Sequence, residues 1–204
     1  MIHETQAKSR PEVNLTFAPA WQAQILDAPP LIAPARQFVY PVPVPGEKDA
    51  LARGAMYALV RPGEGGSPFL ATCALGFADV KMPRGIWACP NAATLCAVAG
   101  GYGYIIDTRQ PQGCAQIPFR PVTEIRALAQ HNLLLFAGFH ALLALGPNGI
   151  AWQTRRLTWE GLRIASIEGD TLQGFGWNLM TDKEVAFTVD LRTGAHTGGA
   201  APGG

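Results

Sequence analysis

The sequence predicts a mainly β fold of antiparallel, blade-like meanders, either an incomplete β-propeller or a β-sandwich, with little helix. Short apolar runs alternate with glycine-rich turns from residue 54 onward, and such even spacing is typical of sandwiches, barrels and propellers. The 23 glycines and 17 prolines interrupt nearly every window in which a helix could form. The best helical candidate, residues 47–53, is therefore short.

Individual runs predict strands and the faces that these strands bury. Residues 184–190 alternate polar and apolar side chains, which predicts one buried face and one face in water. Residues 133–136 are apolar without alternation, so this strand is expected to be covered on both faces. The Asn-Gly pair at residues 148 and 149 predicts a hairpin turn. The predicted strands are 55–60, 69–75, 85–89, 94–99, 102–107, 114–118, 122–129, 133–137, 140–145, 150–155, 162–167, 171–177, 184–190 and 195–198.

Proline content distinguishes the N-terminal part of the chain. Residues 13–46 are proline-rich, and because proline donates no backbone hydrogen bond we interpret them as an extended arm, with short strands near 14–18 and 36–42. A disordered linker is the alternative, but the arm holds large apolar side chains that favour burial, namely Trp21, Ile25, Leu26, Leu31 and Ile32. The predicted organisation is a flexible tail (1–12), an arm packed on the domain (13–46), a single all-β domain (47–199) and a second flexible tail (200–204).

Composition argues against several classes of function. The formal net charge is +1 and 15% of the residues are charged, so no field of one sign attracts nucleic acid or an anionic membrane. The sequence contains no run of about 18 apolar residues that could span a membrane, and its polar N-terminus lacks the apolar stretch of a secretory signal. We therefore expect a soluble, cytoplasmic protein. With so few charges, some apolar surface is expected to face another molecule.

The residue types that commonly carry catalysis or bind metals form no recognisable constellation. No two of the four cysteines have the C-x2-C spacing of a zinc or redox site, and their sequence neighbours are apolar. His131 and His140 flank one predicted strand, roughly 30 Å apart if it is extended, so they cannot share a metal ion. Ser67 lies in a loop without a nucleophile elbow, and residues 100–103 fit a tight hairpin better than a phosphate loop. The sequence predicts no catalytic residue, no metal and no cofactor.

One group of side chains is a candidate for binding. Four aromatic residues and a histidine lie in or beside predicted strands of the C-terminal half, and aromatic rings can form a platform for a sugar, a peptide or a partner surface. Trp159 lies in a connection between strands, where burial is not required. Packing between blades is the alternative role for these rings. The predicted ligand- or partner-binding residues are His140, Trp152, Trp159, Phe175 and Trp177.

An internal repeat carries a resemblance to a known family. Residues 141–152 read Ala-Leu-Leu-Ala-Leu-Gly-Pro-Asn-Gly-Ile-Ala-Trp, and residues 189–194 read Val-Asp-Leu-Arg-Thr-Gly. Both segments resemble the blade repeat of quinoprotein-like β-propellers, in which a strand ending in Ala-Leu is followed by a turn, a glycine and a strand ending in tryptophan. The resemblance extends over residues 95–199, implies four-stranded antiparallel blades and assigns no quinone-binding residue. Residues 54–199 would give three to four blades, which leaves open an incomplete propeller, a two-sheet sandwich or an assembly completed by a dimer.

Two hypotheses for function follow. The first is a bacterial-type β-repeat protein that acts as a non-catalytic binding or assembly module, because unclosed blades leave edge strands that a protein partner, or a second copy in a homodimer, must cover. The second is a hydrolase or lyase whose site is built from loops. Asp107 and Asp190 precede turns and are expected to accept backbone hydrogen bonds there. The polar candidates for the second hypothesis are Asp79, Asp107, His140 and Glu160.

Overall fold

The mainly β prediction is confirmed by the structure, a computed structural model that describes residues 11–43, 48–79 and 81–200. Strands hold 53% of the described residues and helix 4%. Each strand predicted after residue 54 is present, to within two residues at either end. The strands are β1 (Glu12–Asn14), β2 (Trp21–Leu26), β3 (Arg36–Tyr40), β4 (Ala55–Pro62), β5 (Phe69–Ala74), β6 (Arg84–Ala88), β7 (Thr94–Ala99), β8 (Tyr102–Asp107), β9 (Ala115–Gln116), β10 (Val122–Leu128), β11 (Leu133–Gly138), β12 (Leu142–Gly146), β13 (Gly149–Gln153), β14 (Glu160–Glu168), β15 (Thr171–Asn178), β16 (Lys183–Asp190) and β17 (His196–Gly198).

Helical structure in the described ranges is limited to short turns. The predicted helix at 47–53 is reduced to one 3-10 turn, Ala50–Arg53, which begins where the Asp49 carboxylate accepts a hydrogen bond from the backbone N–H of Leu51. A second 3-10 turn, Ala129–His131, precedes β11. No helix in these ranges is long and apolar enough to cross a membrane. Most of the predicted N-terminal tail, and the predicted C-terminal tail beyond residue 200, lie outside the described residues.

The strands form four sheets, which we name blades A to D. Blade A has the strand order β2-β4-β5-β3, blade B β1-β6-β7-β8-β9, blade C β10-β11-β12-β13 and blade D β14-β15-β16-β17. Neighbouring strands are antiparallel, except that β1 runs parallel to β6 and β3 runs parallel to β5. No sheet in the described part of the chain closes into a barrel. Blades C and D are the four-stranded antiparallel meanders that the repeat implies.

The blades stack face to face in chain order. One hydrophobic core joins the inner face of blade A, blade B and the near face of blade C, and a second core joins the far face of blade C to blade D. β11 belongs to both, because Leu134 and Phe136 point into the first core and Leu133 and Leu135 into the second. This confirms the expectation that β11 is covered on both faces.

Blade D is covered on one face only, as the alternation in β16 predicted. Phe187 and Val189 are buried in the second core, whereas Glu184 and Asp190 are exposed on the opposite face. The outer face of blade D is therefore one end of the stack. The outer face of blade A, where the glutamines of β2 are exposed, is the other end, so the stack is open at both ends.

The proline-rich N-terminal segment supplies edge strands to blades A and B. β1 and β3 lie close to the two strands predicted there, whereas β2 was not predicted. An edge strand pairs on one side only, so prolines before and after it leave few backbone groups without a partner. One expectation for this segment was wrong: Leu31 and Ile32, expected to be buried, are 106% and 92% exposed.

The position of these two residues follows from the topology of blade A. They lie in the connection between β2 and β3, residues 27–35, which we call the β2–β3 loop. β2 and β3 run in the same direction at opposite edges of the blade, so the loop returns from the end of one strand to the start of the other. The first core already fills the inner face of blade A, which leaves the solvent side for this return.

Buried aromatic side chains join blade A firmly to blade B. The indole N–H of Trp21 donates to the carbonyl of Thr94 at 3.1 Å, and the hydroxyl of Tyr104 donates to the carbonyl of Ala74 at 2.9 Å. The hydroxyl of Tyr40 donates to a carbonyl in the loop before β9. Because buried polar groups are costly unless they are paired, these bonds fix the position of blade A in the stack.

Candidate functional site

The structure separates the five residues predicted to bind a ligand or partner. Trp152, in β13, lies at one end of the seam between blades C and D. It is 7% exposed, and its indole N–H donates to the carbonyl of Leu191 at 2.7 Å. Gly194, in the turn after β16, lies so close that a Cβ there would be 2.9 Å from the indole ring. This geometry is that of packing between blades, the alternative role weighed above.

His140 and Trp159 lie at the opposite end of the same seam. The linker from blade C to blade D runs between them, with the N–H of Leu157 donating to the carbonyl of His140 at 2.7 Å and the N–H of Trp159 to the carbonyl of Trp177 at 3.0 Å. His140 Nδ1 and Trp159 Nε1 are buried and have no hydrogen-bond partner within the described ranges. The guanidinium of Arg156 lies 5.1 Å from the Trp159 ring. Their predicted role in binding stays a prediction.

Phe175 and Trp177 lie on the outer face of blade D. Arg163 stacks on Phe175, with its guanidinium 4.6 Å from the ring centroid. The same guanidinium donates two hydrogen bonds to the Glu184 carboxylate, at 2.9 and 3.1 Å. Both aromatic residues are half-buried, and charged side chains of the same blade lie beside and over them.

A polar cluster that the sequence did not indicate lies at the Trp152 end of the seam. His131 Nε2 is 3.1 Å from Asp170 Oδ1, and Arg192 pairs with the second carboxylate oxygen. Together with Gln130 these side chains line an open pocket of about 320 Å³, whose floor includes Leu133. The three charged or titratable groups come from three different turns, so no spacing along the chain could have indicated them.

Two of the polar residues named for the enzyme hypothesis, Asp79 and Asp107, fill local roles in turns. Asp79 and Asp107 each accept a backbone hydrogen bond two residues ahead at 2.9 Å, and Asp190 accepts two such bonds in its turn. The expectation for Asp107 and Asp190 is therefore confirmed. Hydrogen bonds from Thr193 lower the pKa of the Asp190 carboxyl. Across the described ranges, no group of three or more His, Cys, Asp or Glu side chains could hold a metal ion.

The four cysteines are not activated as nucleophiles. Cys73, Cys89 and Cys96 are buried and Cys114 is half-buried, as their apolar surroundings predicted. Burial raises the pKa of the Cys89 and Cys114 thiols to about 12, and it raises the pKa of the other two as well. Since the thiolate is the reactive form, these side chains act as small apolar groups of the core.

These raised pKa values predict a loss of stability in alkali. The native state keeps thiol protons up to about pH 12, whereas the unfolded chain releases them near pH 8.5. The stabilisation is complete below about pH 8.5 and falls as the pH rises toward 12, by up to about 1.4 kcal/mol per pH unit for each buried thiol. Urea denaturation at pH 8 and pH 10 measures this, and Cys114→Ser should reduce the slope. Equal stability at the two pH values would contradict the prediction.

The outer side of blade A is the largely uncharged end of the stack. Its side chains include the exposed Gln22, Gln24 and Gln37 around the half-buried Tyr57 and Leu59. Arg61 is the charged residue on the described strands of this face. The β2–β3 loop adds the almost completely exposed side chains of Leu31 and Ile32.

The outer face of blade D, unlike that of blade A, is strongly charged. It carries four acids and one base on β14 and β16, namely Glu160, Glu168, Glu184, Asp190 and Arg163. Terminal units of stacked repeat proteins commonly carry such polar outer faces, because nothing packs on them. Blade D is therefore built as a cap, whereas the outer face of blade A is largely uncharged.

The described part of the chain is mainly β and forms four stacked blades. No protein-family model matches the chain, and no curated protein matches it. Among solved structures, the chain is similar to BBS1N in the crystal structure of BBS1N in complex with ARL6DN, soaked with mercury, with a TM-score of 0.33 and 15% sequence identity. The match covers 70% of this chain and 45% of that one, so this chain spans less than half of the structure that it matches.

Proposed function

We propose that this chain is a non-catalytic binding module whose contact surface is the outer side of blade A. The partner is a folded protein with a groove that receives Leu31 and Ile32. The observation that carries the proposal is the exposure of these two neighbouring side chains, 106% and 92%. Single exposed apolar residues are common on monomers, but two fully exposed aliphatic side chains on one loop are typical of a contact site.

The sequence of the β2–β3 loop suits it to insertion. Pro29, Pro30 and Pro34 surround Leu31 and Ile32, and proline restricts the backbone before any partner binds. A restricted loop loses less conformational freedom on binding, so more of the contact energy contributes to affinity. Burying one such side chain contributes about 1.5–3 kcal/mol, which corresponds to roughly 10- to 100-fold in the dissociation constant.

The charge of the loop favours a protein over a lipid surface. Residues 27–35 contain one acid, Asp27, and no lysine or arginine. Arg36, which follows the loop, donates to the carbonyl of Ser67 at 3.1 Å and stacks near Phe38. Loops that bind anionic membranes combine apolar residues with free basic ones, and this loop lacks the basic ones.

Site-specific crosslinking tests the proposal. A photo-crosslinking amino acid replaces Leu31 in one variant and Gln173, on the outer face of blade D, in a matched control. We expect one identified protein to crosslink from position 31 only. In purified form it should bind the chain with a Kd that Leu31→Asp raises about 100-fold. Equal crosslinking from both positions would contradict the proposal, as would binding to neutral or anionic lipid vesicles that depends on Leu31.

The polar cluster at the C–D seam supports a second candidate function, a loop-built hydrolase. When Nε2–H of His131 donates to Asp170, the Nδ1 atom of His131 is free to accept a proton. It would take this proton from a water molecule whose oxygen attacks an ester carbonyl. The C–O bond of the ester then breaks, and the alcohol leaves with the proton. A panel of nitrophenyl esters tests this. His131→Ala should lower turnover at least about 100-fold, and Gln173→Ala should leave it unchanged. Absence of turnover, or equal turnover in both variants, would contradict this candidate.

A further inference from the structure

We infer that the protein partner of blade A is a second copy of this chain, which forms a two-fold symmetric dimer through the outer sides of the two A blades. The inference rests on the proposed function, since it names the occupant of the same surface. In a two-fold interface each residue meets the same surface on its partner, so the surface must be complementary to itself. The outer side of blade A meets this requirement in three ways.

The first is charge. A two-fold contact between charged faces brings like charges together. The described strands of this face carry Arg61, and the β2–β3 loop carries Asp27, so the signs are balanced. The other exposed polar side chains include Gln22, Gln24 and Gln37. A glutamine amide both donates and accepts hydrogen bonds, so it can pair with another glutamine.

The opposite end of the stack fails the same requirement. On the outer face of blade D, four acids stand against Arg163, which is already paired with Glu184. Two such faces would repel each other. Of the two ends of the stack, therefore, blade A is the one that can pair with itself.

The second is shape. The outer side of blade A holds both a projecting element and a recess. Leu31 and Ile32 project from the loop, and a groove of about 160 Å³ on β2 and β4 is lined by Gln22, Ala23, Gln24, Leu59 and Arg61. The groove is lined mainly by polar atoms of the two glutamines and Arg61, and Leu59 supplies an apolar contact within it. In the dimer, the loop of one protomer would lie in the groove of its partner.

The third is area. A four-stranded blade is about 19 Å wide and, with about six residues per strand, about 20 Å long, so its face offers roughly 400 Å². Two such faces together bury roughly 800 Å², which is the size of a weak, transient interface. The dimer is therefore expected to be a weak one, populated toward the upper end of a micromolar concentration series.

Sedimentation equilibrium over a concentration series up to about 100 µM tests the inference. The wild-type chain, whose protomer mass is 21.7 kDa, should approach twice that mass. Leu31→Asp/Ile32→Asp should raise the dimer dissociation constant at least 100-fold, because each substitution acts twice in a two-fold interface. Leu179→Asp/Met180→Asp is the matched control, since these neighbours are exposed on blade D at 61% and 79%, and it should leave the dimer intact.

The outcomes separate this inference from the proposed function. The inferred dimer is wrong if the wild-type chain stays monomeric throughout the concentration series. It is also wrong if the wild-type chain forms a dimer that the loop substitutions leave intact. The proposed function still stands if position 31 crosslinks to a different identified protein, and it fails if position 31 crosslinks no more than position 173. Circular dichroism checks that each variant is folded. The variant Leu31→Ala/Ile32→Ala adds no charge, and it should raise the dimer dissociation constant about 10-fold.

Discussion

Trp152→Ala should lower the free energy of unfolding by about 3–5 kcal/mol. The indole fills the seam between blades C and D, and its N–H bond to the carbonyl of Leu191 ties β13 to the end of β16. Truncation removes this packing, opens a cavity and leaves a buried carbonyl without its donor. Urea denaturation followed by circular dichroism measures the change.

The control compares two aromatic residues in different surroundings. Phe175 is half-buried on the outer face of blade D beneath the guanidinium of Arg163. Phe175→Ala should therefore cost about 1 kcal/mol, although sequence analysis placed both residues in the same predicted site. Trp152→Phe should give an intermediate loss. Equal losses for the two alanine variants would show that Trp152 is not the main connection between blades C and D.

The strands could be predicted because local sequence determines them in most of this chain. Glycines with positive φ, such as Gly100 and Gly101 between β7 and β8 and Gly149 at the start of β13, mark the hairpins directly. Between them, the alternation of apolar residues distinguishes a strand with one covered face from a strand with two. Both signals lie within a few neighbouring residues, so they can be read without knowledge of the fold.

β2 was missed because its signal is not local. Trp21–Leu26 alternates, but prolines on both sides argued for an arm outside the sheets. Its pairing with β4 depends on a return across blade A that no neighbouring residue indicates. The exposure of Leu31 and Ile32 has the same origin, because the core beneath them is completed by residues distant in sequence. The apolar character of Leu31 and Ile32 predicted that they are buried, but the topology of blade A places them on the solvent side.

The polar cluster was missed for a related reason. His131, Asp170 and Arg192 occupy three turns, and they meet only because blades C and D stack with these turns at the same end of the seam. Each of the three is an ordinary turn residue in the sequence. A contact between blades therefore leaves no spacing pattern, whereas a contact within a hairpin does.

The two-faced burial of β11 gives the second large effect. Leu134→Ala and Leu135→Ala should each lower the free energy of unfolding by about 2–5 kcal/mol, although they are adjacent in one strand. Both side chains are completely buried, Leu134 in the first core and Leu135 in the second. In a strand with one face in water, one of two neighbours would be exposed and its replacement would change stability by less than about 0.5 kcal/mol.

β16 provides the comparison within the same protein. Phe187 is buried in the second core, and its neighbour Thr188 lies on the outer face of blade D, where its hydroxyl pairs with Thr197 at 2.7 Å. Phe187→Ala should therefore cost about 3–5 kcal/mol, and Thr188→Ala well under 1 kcal/mol. Urea denaturation of the four variants measures both pairs. A loss below about 0.5 kcal/mol at either Leu134 or Leu135 would mean that blade C has one free face, and the four blades would then not form a single stack.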